Sequence, residues 1–285
     1  MQLSADDVTN GRLADELLRE ALRQLRDTGL VVLEGVYARD WVARLRVAYE
    51  EELQRHIAAR GGLDAINAKS FGKNHLGLHL PLVPPFSDPA IVANPIAVQV
   101  MSAALGDDLR CSFYHSNTAY PGSAYQPIHR DVPPLFGAEL GVPTPVVHVV
   151  LNVPLCDFTL ENGSTEVWPG SHLIVDTAQG EGRGDTLARR VEGWPAMRTN
   201  IPAGSIVIRD LRMWHRGMPN NSDEARTMLA IVYQRGWSDV PKLLEIPRAT
   251  WDAWPEPARH IFRHNTVVDI PTPVAHPEHA QTMPK

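Results

Sequence analysis

Residues 145–153 read PVVHVVLNV, and two more runs of the same character follow, SIVI at 205–208 and TMLAIVY at 227–233. Short β-branched apolar runs bounded by Gly, Pro and Asn are strands, and their near-continuous apolarity makes them core strands. Several of them from about residue 110 onward predict an antiparallel barrel or jelly roll. Two long irregular segments separate them, the proline-rich 132–144 and the stretch 177–199 with Gly180, Gly182 and Gly184. Long loops in a folded domain usually serve function.

Upstream the pattern is helical. Leu13, Leu17, Leu18, Ala21, Leu22 and Leu25 recur at helical spacing, with Gly29 placed to close the helix. Leu30 to Leu33 is a short strand. Trp41, Leu45, Ala48 and Leu53 share one face of a second helix whose N-cap is expected at Asp40. The fold class expected is mainly β with helical support, as one domain over 1–285. Residues 1–60 are the support, 110–235 the β core, and 241–285 an irregular segment rich in Pro and His.

Composition narrows the function. Hydrophobic residues at 44% and charged residues at 21% are globular values. A net charge of −6 with four lysines offers no basic stripe for nucleic acid. No basic-then-apolar leader opens the chain, and no run approaches about 18 apolar residues, so a cytoplasmic protein without a membrane span is expected. Cys111 and Cys156 are too few for a disulfide framework and read as buried thiols.

The sequence QPIHRD at 126–131 ends in an H-x-D, His129 and Asp131. In an extended segment, residues i and i+2 point to one face, so both could bind one ion. Twelve histidines in this chain make roughly 0.8 such pairs expected by chance, so the motif needs a third ligand to mean anything. His215, in RDLRMWHRG at 209–217, stands between two strands and is the candidate. Two histidines and one carboxylate form the facial triad that holds a non-haem iron and leaves positions open. Eleven residues on, Arg226 opens the run at 227–233, and its planar fork fits a dicarboxylate co-substrate beside the metal.

The H-x-D, the segment ENGSTEVWPGSH at 161–172, His215, and Asn221-Ser222 leading to Arg226 together resemble the phytanoyl-CoA dioxygenase family. The opening TGLVVLEG at 28–35 is similar too. The resemblance, clearest over 110–235, implies a double-stranded β-helix, a cupin-like jelly roll, and a natural-product-type member. It implies His129, Asp131 and His215 as iron ligands and Arg226 as the partner of the far carboxylate of 2-oxoglutarate. Gln126 and Thr165 match positions that touch the co-substrate, although Thr165 could equally hold its turn. Asn152 departs from members that carry tryptophan there.

The implied reaction is an Fe(II)- and O₂-dependent oxidation coupled to conversion of 2-oxoglutarate to succinate and CO₂. Hydroxylation of an unactivated C–H bond is the default, with desaturation, epoxidation or ring formation as alternatives. Asp131 disfavours the related halogenases, which replace the carboxylate. A cupin-type metal protein needing no 2-oxo acid competes with the oxygenase reading. The loops at 75–85, 132–144 and 177–199, with Phe71, Phe86, Phe136 and Trp194, are expected to wall a pocket for a small organic or secondary metabolite. Few lysines argue against a coenzyme A thioester. The bland readings are scaffold for the 161–172 turns, a structural hydrogen bond for His172, and core packing for His148. His75 and His79, at helical spacing, are read as substrate contacts or packing.

Overall fold

The structure, a computed structural model, describes residues 1–67, 72–136, 140–176, 185–238 and 244–270. The first half runs α1 (Ala5–Asn10), α2 (Asp15–Thr28), β1 (Leu30–Leu33), α3 (Arg39–Ala59), α4 (Leu63–Asn67), β2 (His75–His79), α5 (Pro89–Val92), α6 (Pro95–Leu105) and β3 (Arg110–Ala119). The second half runs β4 (His148–Pro154), β5 (Glu166–Val167), α7 (Asp185–Arg190), β6 (Met197–Arg198), β7 (Ile206–Asp210), β8 (His215–Arg216), β9 (Arg226–Gln234), β10 (Glu245–Pro247), α8 (Arg248–Ala253), α9 (Glu256–Phe262) and β11 (Thr266–Val268).

The three apolar runs that open the sequence reading become β4, β7 and β9, the middle of a six-stranded antiparallel sheet ordered β1-β7-β4-β9-β3-β2. A smaller sheet, β6-β5-β8, faces it. An isolated antiparallel bridge between His129 and His215 adds the H-x-D segment to this second sheet. Two antiparallel sheets closed this way form the expected jelly roll.

Register assigns the faces, because successive residues alternate. The outward face carries Val31, Leu33, Tyr114, Val149, Leu151, Val153, Ile206, Ile208, Leu229, Ile231 and Tyr233. These merge with Leu25, Leu45, Tyr49, Leu53 and Ile96 of α2, α3 and α6 into one cluster. Each fully buried aliphatic side chain contributes about 1.5–3 kcal/mol, so this layer holds the sheet rigid. Tyr49, fully buried, also shares hydrogen bonds of 2.8 Å with Ser116 and with Thr118. The inward face is therefore free to carry polar groups. Along it lie Arg209, Asn152, Arg226, His115, His75 and His79, among Val150, Val207, Ala230 and Val232.

Gly29 ends α2 at φ 90°, a conformation that favours glycine, and a Cβ there would lie 2.7 Å from His172 Nδ1. The N-terminal support is present with one correction: Ala38 is the N-cap of α3, and Asp40 sits inside its first turn. A second correction concerns the C-terminal segment. Residues 245–268 are ordered elements, because Pro247 and Pro255 stand at helix N-caps, where a missing N–H costs nothing. Ile246, Trp254, Ala258, Ile261 and Phe262 join the main core, which extends from Leu3 to Phe262. Residues 271–285 lie outside the described residues. Among the described residues no helix is long and apolar enough to cross a membrane.

Candidate metal and co-substrate site

Backbone pairing brings the two histidines together. The His129 N–H donates to the His215 carbonyl at 3.0 Å, and the His215 N–H to the His129 carbonyl at 2.9 Å. Directly opposed residues project to the same side of a ladder, and the two ring centroids stand 4.3 Å apart. The Asp131 N–H donates to the carbonyl of Leu211, at 3.0 Å, in the turn that leaves β7. Asp131 Oδ1 thereby comes 3.9 Å from His129 Nε2 and 3.7 Å from His215 Nε2. The three potential ligand atoms all lie within 4.8 Å of one another, and no other such trio occurs among the described residues.

Tautomers are set by carbonyls. His129 Nδ1 is 2.8 Å from the Pro127 oxygen and His215 Nδ1 is 3.1 Å from the Met213 oxygen. A proton on each Nδ1 makes these bonds and leaves both Nε2 lone pairs beside Asp131 Oδ1. Burial holds the His215 imidazole well below its usual range, with Arg209 adding to the effect, so it stays neutral as a ligand must. Burial alone would raise the Asp131 carboxyl, but the electrostatic surroundings formed by His215, Arg209 and His129, with the Arg209 guanidinium also donating a hydrogen bond, outweigh it and keep the carboxylate ionised. The side chains retain 14%, 10% and 29% exposure for His129, His215 and Asp131, so the group is open on its remaining side. A structural metal site is normally closed.

Arg226 begins β9 on the same inner surface and is 3% exposed. Its guanidinium carbon lies 4.8 Å from the centroid of the Phe158 ring, and its Nε has no hydrogen-bond partner. Among the described residues no carboxylate pairs with it. Burial pulls its pKa down to about 10, with Cys156 opposing and Arg198 reinforcing the shift. A buried, uncompensated cation is costly, and an incoming carboxylate would relieve it. The residues present thus fit a divalent metal held by His129, Asp131 and His215 and a dicarboxylate held at Arg226.

The other candidates lie nearby. Gln126 braces the segment after His215: its Oε1 accepts from the Gly217 N–H at 3.0 Å, and its own N–H donates to the Gly217 carbonyl at 3.0 Å. The Thr165 carbonyl, just before β5, accepts from the Thr199 N–H at 2.9 Å and hydroxyl at 3.1 Å. Asn152 is buried, with Nδ2 3.4 Å from the Leu229 carbonyl.

A model of the family described as Phytanoyl-CoA dioxygenase (PhyH) matches residues 25–228, most of the chain, a span that includes His129, Asp131, His215 and Arg226. The chain belongs to the phytanoyl-CoA dioxygenase family. Dioxygenase af480 of Aspergillus fumigatus is 29% identical over 156 residues, 50% of this chain and 43% of the relative. The chain therefore spans less than half the length of that fungal protein. By structure it is similar to the carbocyclase SnoK of nogalamycin biosynthesis, with a TM-score of 0.58 and 21% identity over 80% of this chain and 85% of that one. It is likewise similar to the epimerase SnoN in complex with Fe3+, alpha ketoglutarate and nogalamycin RO. There the TM-score is 0.60 and the identity 22%, over 78% of this chain and 85% of that one. These two likenesses bear on the fold.

One residue of this family member, Arg209, is not singled out by the sequence, and another, His75, sits on a different element from the one its spacing suggests. Arg209, 7% exposed on β7, donates from Nη2 to Asp131 Oδ2 at 2.8 Å, with Nη1 3.3 Å from His215 Nδ1. Its signal was an arginine continuing the apolar run at 205–208. His75 was read at helical spacing, whereas the structure places it on β2, on one rung with Ala119 and Arg226. Its Nε2 is 2.7 Å from the Ala124 carbonyl, and burial lowers its pKa to about 4, with Arg226 and His129 contributing.

The expected wall of the pocket is corrected in part. Phe86 is a core residue behind the large sheet, where its carbonyl accepts from Tyr114. Trp194 packs with Trp214, Trp168, Ile128 and Leu187. Residues 75–79 are strand rather than loop. Phe136 is exposed, and Phe71 and residues 177–184 lie outside the described residues. His172 Nε2 meets the Arg26 carbonyl at 3.0 Å, the structural role expected of it.

Proposed function

We propose that this chain is an Fe(II)- and 2-oxoglutarate-dependent oxygenase that hydroxylates a C–H bond of a small organic molecule of the natural-product class. The observation that carries the reading is Arg226, a buried cation with no carboxylate partner among the described residues, on the inner surface shared with an open His-Asp-His trio. A metal protein needing no 2-oxo acid gives no reason to bury that cation. When bound, the iron and the 2-oxo acid supply the two-electron chemistry with O₂ that yields succinate and CO₂.

The chain's own groups do the rest. His129 and His215, each with Nδ1–H given to a carbonyl, present neutral Nε2 donors. Asp131 presents Oδ1 and brings one negative charge. Arg226 receives the far carboxylate through its fork, which orients the 2-oxo acid end of the co-substrate toward the trio. Gln126 and Thr165 flank the co-substrate in this reading. The substrate is a small molecule, as the names of the nogalamycin enzymes suggest. Residues 1–285 are read as one domain, since the largest core cluster draws on helices and strands alike from Leu3 to Phe262.

The test is succinate formation from 2-oxoglutarate by the iron-loaded protein. Turnover that requires both Fe(II) and O₂ and is lost in Arg226→Leu supports the reading. Turnover indifferent to Arg226, or an activity that proceeds without 2-oxoglutarate, refutes it.

A further inference from the structure

The two oxygens of Asp131 are not equivalent. Oδ1 faces the Nε2 atoms of His129 and His215, at 3.9 and 3.7 Å, while Oδ2 accepts a hydrogen bond of 2.8 Å from Arg209. Arg209 belongs to β7, every residue of which is buried. Its neighbours across the sheet are Leu30 on β1 and Val150 on β4, both apolar. Burying a guanidinium in such a place costs several kcal/mol unless it is paired and hydrogen-bonded. The side chain's hydrogen bond goes to the Asp131 carboxylate, and its other terminal nitrogen lies 3.3 Å from His215 Nδ1, whose own proton is given to the Met213 carbonyl. The cation is thus aimed at the trio through Asp131.

We propose that Arg209 is a positioning residue that fixes Asp131 as a one-oxygen metal ligand, resting on the metal-centre reading above. A carboxylate can bind a cation through one oxygen or both. A guanidinium on Oδ2 takes up the lone pairs that two-oxygen binding would use and stops rotation about the Cβ–Cγ bond. One-oxygen binding leaves three positions of an octahedral metal for a chelating 2-oxo acid and O₂, whereas two-oxygen binding would close one of them. The charge of Arg209 by itself disfavours a nearby dication. Its contribution therefore lies in aim, and groups of this kind typically change metal affinity by about 10–100-fold.

The experiment uses the full chain, metal-free and then loaded with Co(II) or Fe(II). Binding is followed by titration calorimetry and by the visible ligand-field spectrum of the Co(II) form. The Asp131 carboxylate is followed by infrared difference spectroscopy with carboxyl-labelled aspartate. Wild type is expected to show the wide splitting of carboxylate stretches that marks one-oxygen binding. In Arg209→Met the splitting narrows, the Co(II) spectrum changes and Kd rises about 10–100-fold. Arg209→Lys, which keeps one donor for Oδ2, returns all three toward wild type. The wild-type infrared measurement needs no variant, so a methionine form that fails to fold leaves the test intact.

A narrow splitting in wild type overturns the proposal. So does an Arg209→Met protein that folds and binds metal with unchanged affinity and spectrum. Wild type that binds no metal at all defeats the metal-centre reading instead, and the two failures are distinct.

Discussion

His129 and His215 exchange both of their backbone hydrogen bonds, at 3.0 and 2.9 Å, although 86 positions separate them in the chain. The bridge makes the spacing of their imidazoles a property of the β ladder rather than of loop conformation. Removing one ring should therefore leave the fold intact. His215→Ala and Asp131→Ala are expected to keep the wild-type circular dichroism spectrum and lose at least ~100-fold in Fe(II) affinity, more than a supporting residue costs. Calorimetric titration of the metal-free proteins checks this, and retention of wild-type affinity in either variant contradicts the ligand assignment.

Arg226 should separate co-substrate binding from metal binding. Hydrogen bonds to charged groups contribute about 1.5–3 kcal/mol, so Arg226→Leu is expected to raise the KM for 2-oxoglutarate on the order of 10–100-fold with Fe(II) affinity little changed. The leucine also removes a buried cation that no carboxylate pairs among the described residues, so the co-substrate-free variant should melt at or above the wild-type temperature. Adding 2-oxoglutarate with metal should then stabilise wild type and not the variant. Thermal melts with and without the co-substrate decide it.

Gly217 lies where His75, Gln126 and the segment after His215 converge. A Cβ there would fall 2.5 Å from Gln126 Oε1 and 2.7 Å from His75 Cε1. Neither neighbour can retreat freely, since Gln126 bonds to Gly217 itself and His75 to the Ala124 carbonyl. Gly217→Ala is expected to cost about 1–3 kcal/mol of stability, as overpacking typically does, and to weaken metal binding by shifting His215. Urea denaturation and metal titration of the one variant test both effects.

How much of this was legible in the chain depends on the residue. The strands β4, β7 and β9 were legible because burial on both faces leaves uninterrupted apolar runs. His129 and Asp131 were legible as a pair but close to chance until His215 and Arg226 joined them. Arg209 was not, because a charge after an apolar run reads as a strand leaving for solvent, and only the register with Val150 turns it inward. His75 and His79 were ambiguous, since residues four apart share a face in a helix and in a strand alike. The C-terminal elements were hidden by their prolines, which open α8 and α9 instead of preventing helix.

One buried histidine and one half-buried histidine predict an acid limit. Burial is the largest influence on both His75 and His148 and lowers each to about 4. Between that value and the ordinary 6.5 the unfolded chain binds more protons than the folded one, so stability is full above 6.5 and falls as the pH drops. The loss is about 2 kcal/mol per residue by pH 5. Urea midpoints of the metal-free protein at pH 7 and pH 5 measure it, and His148→Asn should recover its share. Equal midpoints at the two pH values would contradict the neutral state of both rings.

The central claim is that one inner surface holds iron through His129, Asp131 and His215 and a 2-oxo acid through Arg226. It is tested most directly by adding 2-oxoglutarate without oxygen to the Fe(II)-loaded protein and recording the visible spectrum. The account predicts a weak metal-to-ligand charge-transfer band that saturates with 2-oxoglutarate, requires much more of it in Arg226→Leu, and is missing in His215→Ala. A wild-type protein that holds Fe(II) and develops no such band would contradict it.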